Sequence, residues 1–203
     1  MSRISGGSWM LTSPDLTEEE VLSATRTWLE RAVIGLDLCP FARAPHIRNQ
    51  IRFVVSEAET PEALLADLLA ELRTLAGADP SDIETTLLIH PRVLEDFLDY
   101  NDFLDIADAA LADLGLVGEI QIASFHPRYQ FAGTEPDDVE NLTNRSPYPI
   151  LHLLREASVE RAVAAFPDAS KIYEKNIRTL RRLGREGWER LGLEPGPTGN
   201  RGK

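Results

Sequence analysis

The sequence predicts an α/β fold, with a small, mostly parallel sheet of about three strands, flanking helices and further helices at the C-terminal end. Three observations carry this reading. Stretches of helical period alternate with short apolar or two-period runs, the signals of amphipathic helix and half-buried strand. Their order is helix, strand, helix, strand, helix, strand, long loop, then two helices, and strands separated by helices pair in parallel through right-handed crossovers. The third observation opens an alternative: the alternation inside the first and third strands also fits an α+β sheet covered on one face.

The elements follow in order. Thr17 before Glu18, Glu19 and Glu20 starts a helix, with a hydroxyl cap and acids at the positive first turn. Val21, Trp28, Leu29 and Val33 continue it to Gly35. Ile51, Phe53 and Val55 mark the first strand; Thr60 and Pro61 open a helix that ends near Gly77. Residues 85–89 (TTLLI) form the second strand, and a long acidic helical region over 93–114, interrupted at Asn101, stops at Gly115. Ile120, Ile122 and Phe125 belong to the third strand, and helices near 150–165 and 170–191 complete the chain. At 203 residues the length suits one domain, assigned to 17–191, with flexible ends at 1–16 and 192–203.

Composition narrows the function classes. The net charge is −12, but residues 1–150 carry 10 basic and 26 acidic side chains, whereas 151–203 carry 11 basic and 7 acidic. Nucleic acid is not an expected partner, since a phosphate backbone requires a concentrated basic face; the basic C-terminal part is expected to pack beside the acids of its own chain. No run approaches the roughly 20 apolar residues of a membrane helix, and no secretory leader is read at the start. A single cysteine, Cys39, rules out an internal disulfide and suits a reducing compartment. The expected location is the cytoplasm, with no membrane partner.

Two strands end in the same tripeptide, His90-Pro91-Arg92 and His126-Pro127-Arg128. In a parallel sheet both histidines stand at strand carboxyl ends, the edge where such sheets bind ligands, and each following proline holds its histidine extended. Residues 126–149 (HPRYQFAGTEPDDVENLTNRSPYP) then form a long irregular stretch, and loops beyond about 12–15 residues in compact domains are commonly functional. The stretch supplies His126 and Glu140 for proton transfer, Arg128 and Arg145 to grip an anion with paired N–H groups, and Tyr129 and Asn144 to orient it, with His90 beside them. Cys39, before Pro40, gains a stabilised thiolate if Pro40 opens a helical turn with Cys39 as its cap, which makes it a reserve nucleophile; a buried small hydrophobe is the plainer reading. Cys39, His90, His126 and His152 show no close ligand spacing, so no metal site is assigned, and no cofactor is specified. Asp96, Asp99, Asp102 and Asp105 fall three apart on a helix, the pattern of a solvated face.

Residues 28–42 (WLERAVIGLDLCPFA), the pair His126-Pro127, and residues 140–149 (ENLTNRSPYP) leading into His152-Leu153-Leu154-Arg155-Glu156 resemble a bacterial family known as a domain of unknown function, number 1415. The resemblance spans roughly residues 20–185. It implies one domain and a bacterial source, and implies no activity.

Three functions are compatible with these residues. The first is an enzyme acting on a small anionic metabolite by His126-based acid/base chemistry at the 126–149 loop. The second is a non-catalytic small-ligand or metal-binding protein. The third is a protein–protein interaction module that uses the acidic 95–113 face.

Overall fold

The structure, a computed structural model, describes residues 16–164 and 170–193. Of the ends expected to be flexible, all but residues 16, 192 and 193 lie outside the described residues. Helix α1 (Glu18–Trp28) starts as expected. The Thr17 hydroxyl accepts from the Glu20 N–H (3.3 Å) while Glu20 accepts from the Thr17 N–H (2.9 Å), a reciprocal capping box. The helix runs into a π-helical turn, Leu29–Ile34, whose Leu29, Ala32, Val33 and Ile34 are buried. Gly35 follows because a Cβ there would stand 2.4 Å from the Arg31 carbonyl oxygen.

A five-residue helix, α2 (Arg43–Ile47), leads to β1 (Ile51–Val55), α3 (Pro61–Gly77), β2 (Thr85–Ile89), α4 (Phe97–Asp113) and β3 (Ile120–Phe125). Helix α4 is unbroken at Asn101 and begins four residues later than the composition suggests, because the Asp96 carboxylate caps it by accepting from the Leu98 N–H (2.8 Å). A 3-10 turn (Val139–Asn144), β4 (Ile150–Arg155), α5 (Glu156–Ala164) and α6 (Ser170–Glu189) complete the chain.

Strand β4 corrects the sequence reading, which places a helix there and counts three strands. Ile150, Leu151 and Leu153 are all 0% exposed, and a short apolar run with both faces buried does not reveal its period. The run inserts antiparallel between β2 and β3, giving the order β1-β2-β4-β3 with β1 and β2 parallel. The sheet is therefore mixed rather than mostly parallel, within the α/β class and in the manner of the α+β alternative. Because β2 and β3 are both antiparallel to β4, strands β1, β2 and β3 end at one edge. Ile150 stands opposite both Ile89 and Phe125, so His90 and His126 flank the point where β4 enters.

Alternation along the strands divides the interior. Leu88, Leu151 and Leu153 point toward α3 and α4, where they meet Leu64, Leu68, Leu72 and Phe103. Leu87, Ile89 and Ile150 point the other way, onto Val21, Trp28, Leu29 and Val33. Each fully buried leucine contributes about 1.5–3 kcal/mol of transfer free energy, so the two clusters hold the layers on the sheet.

Arg155 closes the far end of this frame. Its guanidinium donates to the carbonyls of Leu75 (2.6 Å), Ala78 (2.7 Å) and Ile83 (3.2 Å); Leu75 and Ala78 stand at the end of α3, where carbonyls lack the full set of helical N–H partners. Arg155→Ala is expected to cost about 2 kcal/mol, read as a lower urea midpoint at unchanged slope; an unaltered midpoint would mean that water satisfies those carbonyls equally well. Among the described residues no helix is long and apolar enough to cross a membrane.

Candidate functional site

The 144–149 segment crosses the sheet edge between β3 and β4, and one side of it opens onto a hollow of about 240 Å³. Trp28, Pro127, Leu142, Pro147, Trp188 and Leu193 supply its apolar walls. Arg145, Ser146, Arg185 and Glu189 supply the polar ones. Trp28 is fixed on two sides: its indole N–H donates to the Arg145 carbonyl (2.9 Å) and its ring meets Phe125 edge-on at 5.2 Å. The outer wall belongs to the last turns of α6, which turn at Gly184 (φ 65°, ψ 174°). That conformation is essentially reserved for glycine, so the break sets the aim of Arg185, Trp188 and Glu189.

Electrostatically the hollow favours an anion at one end. The Arg145 Nε donates to the Tyr129 carbonyl (3.2 Å) and one Nη to the Pro136 carbonyl (2.6 Å), which holds the guanidinium in place and leaves further N–H groups free. Among the described residues no carboxylate lies within ion-pair distance of it. Arg185 instead takes the nearby acid, donating to Asp137 Oδ1 at 2.9 Å. Burial, followed by the repulsion of Arg185, pulls the Arg145 pKa down, although an arginine remains charged at neutral pH. Two cations, one of them half-buried, therefore share this wall with a single carboxylate, Asp137, which pairs with Arg185 and offsets only part of the charge on Arg145.

The other residues picked out from the sequence lie elsewhere. His126 is fully buried, and its ring faces α4, tilted on Tyr100 (5.1 Å) and Phe97 (5.4 Å). Its Nε2–H donates to the Leu94 carbonyl (3.1 Å) and its Nδ1 accepts the Arg128 backbone N–H (3.0 Å), which fixes the neutral tautomer. A proton on Nδ1 would face an N–H, and burial pushes the pKa down to about 4. Arg128 turns outward to the Glu95 carbonyl and to Asp96 (3.5 Å). Tyr129 packs its ring between Phe97 (5.2 Å) and Phe131 (5.0 Å). Glu140 pairs with Arg181 on α6 rather than with His126. Asn144 donates to the Ser124 carbonyl (3.0 Å), and its own carbonyl accepts from the His126 N–H (3.1 Å), binding the loop to β3.

The expected convergence of His126, Arg128, Glu140 and Arg145 on one cavity is thus corrected: only Arg145 reaches the hollow. The reason is the two-residue period of β3. Phe125 points to Trp28, so the residue after it points to the opposite face, over α4. Cys39 precedes a turn over 40–42, where the Phe41 and Ala42 N–H groups act on its sulfur and lower its pKa, but burial outweighs them. Helix α2 itself starts after Ala42, and the net raised Cys39 pKa keeps the thiol protonated. His90 is fully buried, donates from Nδ1 to the Val93 carbonyl (3.0 Å), and stacks on Tyr100 at 5.7 Å. Its Nε2 has no partner among the described residues.

The residues that build the sheet, the crossing segment and the walls up to Glu189 fall within residues 20–190, which match the model described as "Protein of unknown function (DUF1415)". The chain belongs to the DUF1415 family. No curated protein and no solved structure matches it.

In this DUF1415 protein, no group of three or more His, Cys, Asp or Glu side chains among the described residues is placed to hold a metal ion. Asp99, Asp102 and Asp105 are exposed along α4. The basic helix α6 meets other acids: Lys175 pairs with Asp37, Arg181 with Glu140 and Arg185 with Asp137. Sequence reasoning passed over Trp28, Arg185, Trp188 and Glu189. Arg185, Trp188 and Glu189 nevertheless carry a readable signal, since spacings of three and four place them on one side of a helix directly after a glycine.

Proposed function

We propose that this protein binds a small organic anion with an apolar body in the hollow between the 144–149 segment and the end of α6, and that it does so in the cytoplasm. The observation that carries the reading is Arg145, a half-buried guanidinium held by two backbone carbonyls and repelled by Arg185, whose neighbouring acid, Asp137, is paired with Arg185 and lies beyond ion-pair distance of Arg145. A guanidinium of this kind gains more from a ligand carboxylate than a solvated surface arginine does, because less water competes for it. The indoles of Trp28 and Trp188 supply apolar surface beside the charge, the usual composition of a small-ligand site. Binding of the anion, rather than histidine chemistry, is what this geometry favours.

Titration calorimetry with acetate, inorganic phosphate and 3-phenylpropionate checks the proposal. 3-Phenylpropionate is expected to bind most tightly, because it alone combines an anion with apolar bulk. Arg145→Lys retains the charge but loses the planar fork, and should weaken that binding about tenfold while the protein stays folded by circular dichroism. If none of the three binds, or if Arg145→Lys binds as the natural protein does, the reading is overturned.

A further inference from the structure

The hollow contains a second charge that an anion alone would leave unanswered. Glu189 lines it four residues after Arg185, a spacing at which a helix normally pairs opposite charges. Here the pair does not form, because Arg185 reaches across to Asp137 at 2.9 Å from Oδ1 and 3.2 Å from the backbone carbonyl. Among the described residues no cation lies within ion-pair distance of the Glu189 carboxylate, and no carboxylate lies within that distance of Arg145. One small hollow is therefore lined by a guanidinium and a carboxylate that come from different chain segments, neither of them in an ion pair among the described residues.

We infer that the hollow is built for a zwitterion, an apolar α-amino acid or a compound carrying the same pairing of carboxylate and ammonium on an apolar body. The inference rests on the anion reading above and extends it. A ligand with a carboxylate alone satisfies Arg145 but brings a second negative charge toward Glu189. An amine alone satisfies Glu189 and meets the two guanidinium groups. A zwitterion answers both walls, and Trp28, Leu142 and Trp188 then enclose its side chain. The volume of about 240 Å³ accommodates a side chain of the size of leucine or phenylalanine. Gly184 makes the arrangement possible: its φ of 65° turns the last limb of α6 so that Arg185, Trp188 and Glu189 face the hollow, and any other residue would be strained there.

Calorimetry on the full chain with L-phenylalanine, 3-phenylpropionate and 2-phenylethylamine tests this. L-Phenylalanine is expected to bind about fivefold more tightly than 3-phenylpropionate, the size of effect an ion pair at an exposed carboxylate supports, and 2-phenylethylamine is expected to bind more weakly than either. Glu189→Gln, at an exposed position that does not threaten folding, should abolish the preference for L-phenylalanine and leave 3-phenylpropionate bound at least as well as before. If 3-phenylpropionate binds as tightly as L-phenylalanine, or if the preference survives Glu189→Gln, the zwitterion inference fails while the anion reading stands. If no carboxylate binds in a manner sensitive to Arg145→Lys, both fail.

Discussion

Lowering the pH from 7 toward 4 is expected to remove most of the folding stability of this protein, and buried histidines are the cause. His90 and His126 are fully buried and His152 is held by Thr85 at 2.7 Å; burial takes all three from the ordinary value of 6.5 to about 4. Each makes a hydrogen bond as the neutral ring, His90 through Nδ1 alone. His126 accepts a backbone N–H at Nδ1. The Thr85 hydroxyl is committed to the Leu153 carbonyl at 2.6 Å, so His152 serves as donor to it. The unfolded chain therefore binds protons that the folded one refuses. The stabilisation is complete above pH 6.5 and is lost as pH falls through the interval down to about 4.

A shift of this size corresponds to on the order of 3 kcal/mol per histidine, set against a total stability of about 5–15 kcal/mol for a typical domain. The exposed carboxylates with lowered pKa values, Glu20, Asp79 and Asp96, keep their contribution until the pH approaches the ordinary carboxylate range, so the loss between pH 7 and 5 belongs to the histidines. Urea denaturation at pH 7, 6 and 5 checks the expectation. His126→Asn keeps an acceptor for the Arg128 N–H and should reduce the steepness by about one proton, near 1.4 kcal/mol per pH unit. Equal stability at pH 7 and pH 5 would contradict it.

The second large effect is expected at Tyr100. Its hydroxyl donates to the Ile150 carbonyl (2.7 Å) and accepts from the Phe125 N–H (3.1 Å), and the residue is 0% exposed. One oxygen thus ties α4 to both strands where β3 ends and β4 begins, beside the crossing segment that carries Arg145. Tyr100→Phe leaves a buried donor and a buried acceptor unmatched, at about 1–3 kcal/mol each when no water replaces the hydroxyl. A loss of about 2–4 kcal/mol is expected, together with a change in the near-ultraviolet signal of Trp28, whose ring rests on Phe125. A variant within about 0.5 kcal/mol of the natural protein would mean that water enters and repairs both bonds.

Much of the frame was legible along the chain. The Thr17 and Thr60 caps, the stop at Gly35, the strands at 51–55, 85–89 and 120–125, and the two histidines at a common strand edge all follow from short-range rules. These features depend on neighbours within a few residues, so composition and period reveal them. Strand β4 was hidden, because an apolar run buried on both faces has the same appearance in either period. Its place between β2 and β3 is decided by pairing partners more than 60 residues earlier and about 30 residues earlier in the chain.

The candidate site divides in the same way. That residues 126–149 form a long irregular connection could be read from length and residue type, and Arg145 within it lines the hollow. Which side chains share that wall is a property of the sheet. Its two-residue alternation sends His126 toward α4 and leaves Phe125 facing Trp28, and the turn at Gly184 brings Arg185, Trp188 and Glu189 from the far end of the chain. By itself the sequence determined the class of fold, most helix starts and stops, and the long connection that carries Arg145, since these rest on local backbone preferences and period. Only the tertiary structure decided which charges meet and which stay unpaired, because the electrostatics of Arg145 and Glu189 depend on distances between chain segments that are remote in sequence.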